Sequence, residues 1–245
     1  MREILEDAAI IYRHEVESLL IIAAPAVVLG PMGVLIAGAG LRIALAVIPI
    51  VLLIYLATYA ACVSASRLAL GNDDPDPGRS YLEALGKAPM LLVAAGPGAL
   101  LIGGSVASAF IIADEGFRLV ALAVVLGGTG AAIWWVARHV YDFPLILAHD
   151  AGGSQALRAG PRLADLSEEW TRWLLAAISL PLLLALVLSW GLGAMIKPAF
   201  GGAFFAALLA LWLPFAALCL TAACDRLVGE VGEVERQPRA KRAAY

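Results

Sequence analysis

Long apolar runs dominate the chain, and short polar stretches separate them. Because the hydrocarbon core of a bilayer is about 30 Å thick, a helix crosses it with about 20 mostly apolar residues. Six runs have this length: about 18–40, 43–66, 89–113, 117–137 continuing to about 148, 171–196 and 200–224. The sequence lacks the strictly alternating tracts of an outer-membrane barrel. The pattern therefore predicts an all-α fold, a polytopic membrane bundle of six transmembrane helices.

Composition agrees with this prediction. Of the 245 residues, 62% are hydrophobic and 15% are charged, and the mean hydropathy of +0.87 exceeds what a soluble domain of this length can bury in one core. The N-terminal segment lacks the basic stretch, short apolar run and small-residue cleavage site of a signal peptide. We therefore expect the first span to remain in the protein.

Lys and Arg are distributed unevenly between the connections. The N-terminal segment, residues 67–90, residues 138–173 and the C-terminal tail carry 2, 3, 4 and 5 of them, whereas the other connections carry only Arg42, Arg118 and Lys197. Connections rich in Lys and Arg stay on the cytoplasmic side of a membrane. The distribution predicts a multi-pass protein of the inner (cytoplasmic) membrane with both termini in the cytoplasm.

A polar or amphipathic segment precedes an apolar span three times. The three copies begin REILEDAAIIYRHEVES, SYLEALGKAPM and SQALRAGPRLADLSEEW, and each continues through a span, a tight outer turn and a second span. The copies divide the chain into units 2–78, 79–153 and 154–232. This organisation predicts three hairpin repeats in one transmembrane domain, residues 1–232, followed by a charged cytoplasmic tail, residues 233–245.

The polar segments themselves have helical patterns. The first places its apolar residues on one face, namely Ile4, Leu5, Ala8, Ile11, Tyr12, Val16 and Leu19, so we expect an amphipathic helix at the cytoplasmic interface or against the bundle. In the second, Ser80 and Glu83 have the spacing of a capping box. In the third, Trp170 and Trp173 lie where the chain enters the headgroup zone, and we interpret them as interfacial anchors.

The ionisable residues best suited to catalysis or metal binding are concentrated near the end of the fourth run. They are Arg138, His139, Asp142, His149 and Asp150. His139 and Asp142 are one helical turn apart, and such a pair can shuttle a proton or bind a metal. Pro144 follows, however, no third ligand has a helical spacing, and charged side chains at this depth commonly snorkel. We therefore predict no catalytic residue, metal ligand or cofactor, and the sequence leaves open whether a lipid, quinone or pigment binds between the helices.

Other features exclude several functions. The basic residues of the tail, Arg236, Arg239, Lys241 and Arg242, follow three glutamates and have no interleaved aromatics, so we expect no nucleic-acid partner. Three cysteines, Cys62, Cys219 and Cys224, have neither metal nor redox spacing. The centres of the six runs contain no Asp, Glu, Lys, Arg or His, although proton-coupled transporters need ionisable groups there.

The segment ALRAGPRLADLSEEWTRWLLAAI, residues 156–178, resembles a bacterial and archaeal group of six-helix membrane proteins that includes the membrane domain of glycerophosphodiester phosphodiesterases. In that group an "ALR…RL…W…LL" segment follows a cytosolic loop and enters a span. The resemblance implies a six-helix membrane domain, and it assigns no catalytic residue here. The chain departs from the pattern at Gly160 and Pro161, which replace a polar–aromatic pair.

These observations favour a non-enzymatic membrane scaffold or an accessory subunit of a membrane assembly. Its partners would be membrane lipids and other membrane subunits, or further copies of the chain. The main alternative is a permease subunit of an ABC-type transporter, which six spans and cytoplasmic helical segments fit and a threefold repeat fits poorly. A lipid-acting intramembrane enzyme that uses His139 and Asp142 is the second alternative.

Overall fold

The computed structural model describes residues 2–71, 73–114 and 117–243, and within them the chain has ten α-helices and no strand. The helices are α1 (Arg2–His14), α2 (Val16–Ala37), α3 (Leu41–Leu70), α4 (Pro77–Gly86), α5 (Ala88–Asp114), α6 (Arg118–Arg138), α7 (Asp142–Ala148), α8 (Gly153–Leu166), α9 (Glu168–Met195) and α10 (Pro198–Ala243). The all-α fold class predicted from the apolar runs is confirmed.

Four of the helices contain segments that are long and apolar enough to cross a membrane. These segments are Val16–Ala37, Ala46–Leu70, Glu168–Met195 and Pro198–Gly229. Even the shortest, with 22 residues, extends about 33 Å at about 1.5 Å per residue, which matches the hydrocarbon core of a bilayer. Helices α5 and α6 have 27 and 21 residues and cover the third and fourth predicted spans. Six spans remain a prediction, because the apolar segment found in the described part of α5 is the shorter Ala88–Gly98.

The helices form two compact units. The first consists of Met1–Gly86 together with Glu169–Tyr245, and the second is the continuous segment Lys87–Glu168. These boundaries differ from those of the three sequence repeats, because the first unit combines helices from the beginning and the end of the chain. The repeat organisation therefore remains a prediction.

Glycines allow the backbones of the long helices in the first unit to approach one another closely. A Cβ added to Gly33 of α2 would lie 2.2 Å from the Val51 side chain of α3, and one added to Gly201 of α10 would lie 2.3 Å from the backbone oxygen of Ser189 in α9. Both distances are far below a van der Waals contact. Small residues allow this close packing in membrane bundles, where dispersion between helices replaces the hydrophobic effect.

Helix α1 packs against α10. It buries Ile4, one of the residues predicted on its apolar face. Glu3 forms an ion pair with Arg226 at 3.1 Å, and the Tyr12 ring meets the Phe215 ring edge-on with 5.7 Å between their centroids. The amphipathic helix therefore lies against the bundle, which is one of the two locations expected from the sequence.

Helix α4 begins earlier than its sequence predicts. Asp76, just before Pro77, accepts a hydrogen bond from the Arg79 backbone N–H at 2.6 Å. The hydroxyl of Ser80 is buried and has no hydrogen-bond partner among the described residues. The predicted capping box of Ser80 and Glu83 is therefore wrong. Proline favours the first helical position, so Pro77 starts the helix and Asp76 takes over the capping.

The second unit contains α5, α6, α7 and α8. Helix α8 begins after Gly152, whose N–H donates to the Gln155 side chain at 3.1 Å. Gly153 lies against α5, because a Cβ at this position would be 3.1 Å from the backbone oxygen of Met90. The short helix α7 packs beside α8 and buries Leu145, Ile146 and Leu147. This packing holds the polar end of α6 against α8.

Candidate functional site

The candidate site lies at the turn that joins α6 to α7. Helix α6 ends at Arg138, His139 occupies the C-cap, and Asp142 is the first residue of α7. The backbone N–H of Asp142 donates to the His139 carbonyl at 3.1 Å, which closes the turn. The His139 Nδ1 and the Asp142 Oδ2 are 2.9 Å apart. The two residues that the sequence places one turn apart are therefore in direct contact.

Asp142 is buried against α8. Its side chain is 1% exposed, and that of His139 is 11% exposed. A Cβ added to Gly160 would lie 1.9 Å from the Asp142 Oδ1, so the carboxyl group occupies the space that any other residue at this position would fill. The same Oδ1 has no hydrogen-bond partner among the described residues. This arrangement leaves no room for a substrate beside the Oδ1.

The environment shifts the pKa values of both residues. Burial raises the pKa of Asp142 from 3.8 to about 7, because a low-dielectric environment disfavours the carboxylate. Burial, and then the neighbouring charge of Arg138, lower the pKa of His139. Burial thus favours the neutral form of both side chains, the carboxylic acid of Asp142 and the unprotonated imidazole of His139.

The imidazole ring is fixed by an aromatic neighbour. The ring of Trp135, one turn earlier on α6, stacks on the ring of His139 with 3.9 Å between centroids and 19° between the planes. The stack and the bond to Asp142 together restrict rotation of the ring. A general base must reach the proton that it removes, and this ring is held among protein groups, so the geometry supports a structural hydrogen bond more than catalysis.

The other three predicted residues serve different contacts. Arg138 forms an ion pair with Asp165 of α8 at 3.1 Å. Asp150 forms an ion pair with Lys87 at 2.6 Å and has a left-handed backbone conformation with a φ of 53°. His149 is exposed and follows the last residue of α7. The predicted cluster is thus one buried pair with separate ion pairs on either side of it.

Lys87 is an important residue whose contacts the sequence did not indicate; its spacing from Glu83 suggested an ion pair along one helix instead. Besides Asp150, its Nζ donates to the carbonyl oxygens of Ile146 at 3.0 Å and Leu147 at 3.2 Å. A cation at this point satisfies carbonyls at the C-terminus of α7 and interacts favourably with the helix dipole. The contact of Gly160 with Asp142 was not indicated either. The only hint in the sequence is that Gly160 and Pro161 depart from the family pattern.

The donor set does not form a metal site. Among the described residues no group of three or more His, Cys, Asp or Glu side chains comes together to hold an ion. The buried pair supplies two ligands at most, and zinc in proteins takes three or four.

The predicted interfacial tryptophans both lie near the start of α9. Trp173 is 59% exposed. Trp170 is partly covered by Arg226, whose guanidinium carbon lies 5.8 Å from the centre of the indole. An indole with an exposed face suits the interface between headgroups and acyl chains, and the cation over Trp170 connects the beginning of α9 to α10. The assignment of both residues as membrane anchors remains a prediction.

Comparisons with known proteins do not assign this site. No family model, curated protein or solved structure matches the chain. The likeness to the membrane domain of glycerophosphodiester phosphodiesterases therefore stays a resemblance.

Proposed function

We propose that the chain is a non-enzymatic scaffold or accessory subunit of an assembly in the inner membrane. In this proposal α2, α3, α5, α6, α9 and α10 supply six spans arranged as three hairpins, and both termini are cytoplasmic. Helices α1, α4, α7 and α8 lie on the cytoplasmic side. Membrane lipids surround the spans, and another membrane subunit or a second copy of the chain binds the cytoplasmic helices.

The observation that carries the proposal is the attachment of α1 and α4 to the spans of the first unit. Glu3 pairs with Arg226, and the Tyr81 hydroxyl donates to the Ile22 carbonyl at 2.7 Å. The opposite face of α1 is nevertheless exposed and includes the apolar residue Ile10. Surface helices that are held rigidly and present both apolar and charged side chains suit recognition, because little entropy is lost when a partner binds them.

The distribution of ionisable groups favours this role over chemistry within the membrane. In the four spans, the acidic and basic residues lie near the ends: Glu17, Arg67, Glu168, Glu169, Arg172, Asp225 and Arg226. The middle of each of these spans is apolar. Ion-coupled transport and proton relays use ionisable groups at that depth, and the buried pair of His139 and Asp142 lies outside these spans.

Affinity purification tests the proposal. The full chain carries a tag after Tyr245, native membranes are solubilised gently, and mass spectrometry identifies the proteins that come along. We expect a stoichiometric integral membrane partner without ATPase motifs, or a defined homo-oligomer. A stoichiometric ATPase would support the permease alternative instead, and a monomer that never copurifies with another protein would contradict the scaffold.

A variant on the exposed face of α1 makes the test specific. Replacing Ile10 by serine removes apolar area from the proposed interface and should weaken copurification, since apolar anchors carry much of the affinity of an interface. Ala9→Ser is the matched control, because Ala9 is also exposed on α1 and offers little side chain. Equal copurification of both variants would remove α1 from the interface.

A further inference from the structure

The first unit contains a groove between the end of α3 and the beginning of α4. Its volume is about 590 Å³, and its lining includes Arg67, Asp76, Gly78, Arg79, Leu82 and Glu83. The apolar segment of α3 ends at Leu70, so the groove lies where a span leaves the hydrocarbon. This is the depth of the phospholipid headgroups.

Two of the charged groups in the groove already serve the protein. Glu83 accepts hydrogen bonds from Arg67 at 2.9 Å and from the Ser64 hydroxyl. These bonds fix the guanidinium of Arg67 at the wall of the groove, where its side chain is still 42% exposed. Arg67 is therefore a positioned cation at the wall of the groove.

The other two charged groups have capacity to spare. Asp76 uses its Oδ2 to accept the Arg79 backbone N–H, and its Oδ1 makes no hydrogen bond or ion pair with the described residues. The guanidinium of Arg79 likewise makes no such contact within the described part of the chain. A ligand can therefore gain a carboxylate oxygen and five guanidinium donors without breaking an existing bond.

Apolar side chains border these charges. Leu82 and Leu85 of α4 are each 71% exposed, although Ser80 and Ala84 on the same helix are buried. Exposed leucines on a helix at the end of a span fit the upper part of acyl chains. The groove thus combines a cation, an anion and an apolar edge.

We propose that this groove binds a zwitterionic phospholipid whose headgroup ends in a primary ammonium, that is, a phosphoethanolamine lipid. The phosphate lies against Arg79 and Arg67, the ammonium donates to Asp76, and the acyl chains contact Leu82 and Leu85. This inference goes beyond the scaffold proposal and does not rest on it.

The chemistry of the groove separates this headgroup from the common alternatives. A headgroup whose only charge is negative is repelled by the Asp76 carboxylate, and a glycerol headgroup offers this carboxylate only neutral hydroxyl donors. A choline group has no N–H to donate, and proteins recognise it with aromatic faces, whereas none of the lining residues that the structure describes is aromatic. A primary ammonium can donate hydrogen bonds to the Asp76 carboxylate, and its binding requires no aromatic cage.

Native mass spectrometry of the purified full chain tests the proposal. The detergent-solubilised protein is titrated with short-chain phosphatidylethanolamine, phosphatidylcholine or phosphatidylglycerol. We expect phosphatidylethanolamine to bind most tightly. Arg79→Gln and Asp76→Asn should each lower that affinity about tenfold, the typical loss for one hydrogen bond to a charged group. Asn still caps a helix, so Asp76→Asn leaves the start of α4 intact.

Matched variants and competitors decide between the outcomes. Arg13→Gln and Asp74→Asn change exposed charges outside the groove and should leave lipid binding unchanged. Equal affinity for all three lipids, or equal losses in groove and control variants, would overturn the proposal. Free phosphoethanolamine should compete weakly because it lacks acyl chains. Competition as strong as that of the lipid would overturn the lipid assignment and indicate a site for a soluble phosphate ester.

Discussion

The carboxyl group of Asp142 lies so close to the backbone of Gly160 that a Cβ at residue 160 would be 1.9 Å from its Oδ1. The bond between His139 and Asp142 is therefore held from behind by a second helix. A side chain at residue 160 and ionisation of Asp142 should therefore each disturb the same contact between α7 and α8.

Replacing Gly160 by alanine should destabilise the second unit. The added methyl group overlaps Asp142, and overpacking of this kind typically costs about 1–3 kcal/mol. Thermal unfolding of the purified protein, or proteolysis at α7 and α8, measures the loss. Gly130→Ala is the control, since a Cβ there meets nothing within 4 Å. The double variant Gly160→Ala/Asp142→Ala should lose less unfolding free energy than the two single variants lose together. Additive losses would contradict the contact.

Stability of the second unit should depend on pH through Asp142. The unfolded aspartate loses its proton near 3.8, whereas the pKa of Asp142 in the fold is about 7. The folded state therefore binds more protons between these values, and this contribution to stability is complete below about 3.8 and is lost as the pH rises through 7. Asp142→Asn keeps a neutral side chain and should remove the loss.

His139 contributes with the opposite sign. Its pKa is lowered in the fold, so its contribution is present above the ordinary value of about 6.5 and is lost as the pH falls through the lowered value. Unfolding of wild type, Asp142→Asn and His139→Gln across this range separates the two groups. The stability difference between wild type and Asp142→Asn should decrease from pH 4 to pH 7, and a constant difference would show that Asp142 is ionised in the fold.

Lys87 should contribute more to the second unit than Arg138 does. Lys87→Met leaves the Ile146 and Leu147 carbonyls without their cation, at a cost of about 1–3 kcal/mol for buried groups that lose a partner. Arg138→Gln breaks an exposed pair with Asp165, and such pairs contribute about 0–1 kcal/mol. Hydrogen exchange of the α7 amides compares the two variants. Faster exchange in Arg138→Gln than in Lys87→Met would reverse this ranking.

Cysteine accessibility distinguishes six spans from four. After the three native cysteines are replaced by serine, single cysteines are introduced at residues 39, 117 and 197, and at residues 79 and 154 as controls. A membrane-impermeant maleimide should label the first three from outside intact spheroplasts and the controls only after permeabilisation. Protection of residue 117 in intact spheroplasts would mean that α5 and α6 do not cross the membrane.

The sequence predicted those features that depend on local spacing. Apolar run length located the helices, and the three-residue interval between His139 and Asp142 predicted their contact, because one helical turn or a tight turn brings such residues together. The amphipathic pattern of the first segment also located the buried face of α1. Each of these inferences needs only the geometry of a single element.

Features that depend on packing between elements were missed. Gly160 and Lys87 approach α7 from distant points of the chain, and no local pattern indicates which helix will pack beside another. The capping box failed for a different reason, since Asp76 and Pro77 compete with Ser80 for the start of α4 and a spacing rule does not rank the competitors. Arg138 and Asp150 were grouped with the buried pair because proximity in sequence does not reveal the direction of a side chain.

The division of the chain into a discontinuous and a continuous unit has a consequence for biosynthesis. Residues 87–168 leave the ribosome as one continuous stretch, before α9 and α10 are made. The first helices complete their contacts only later, because the Tyr55 hydroxyl donates to the Ala206 carbonyl and Glu3 pairs with a residue 223 positions later. During translation the N-terminal helices therefore lack these bonds until α10 is made, and a ribosome that stalls before α10 leaves the first unit incomplete.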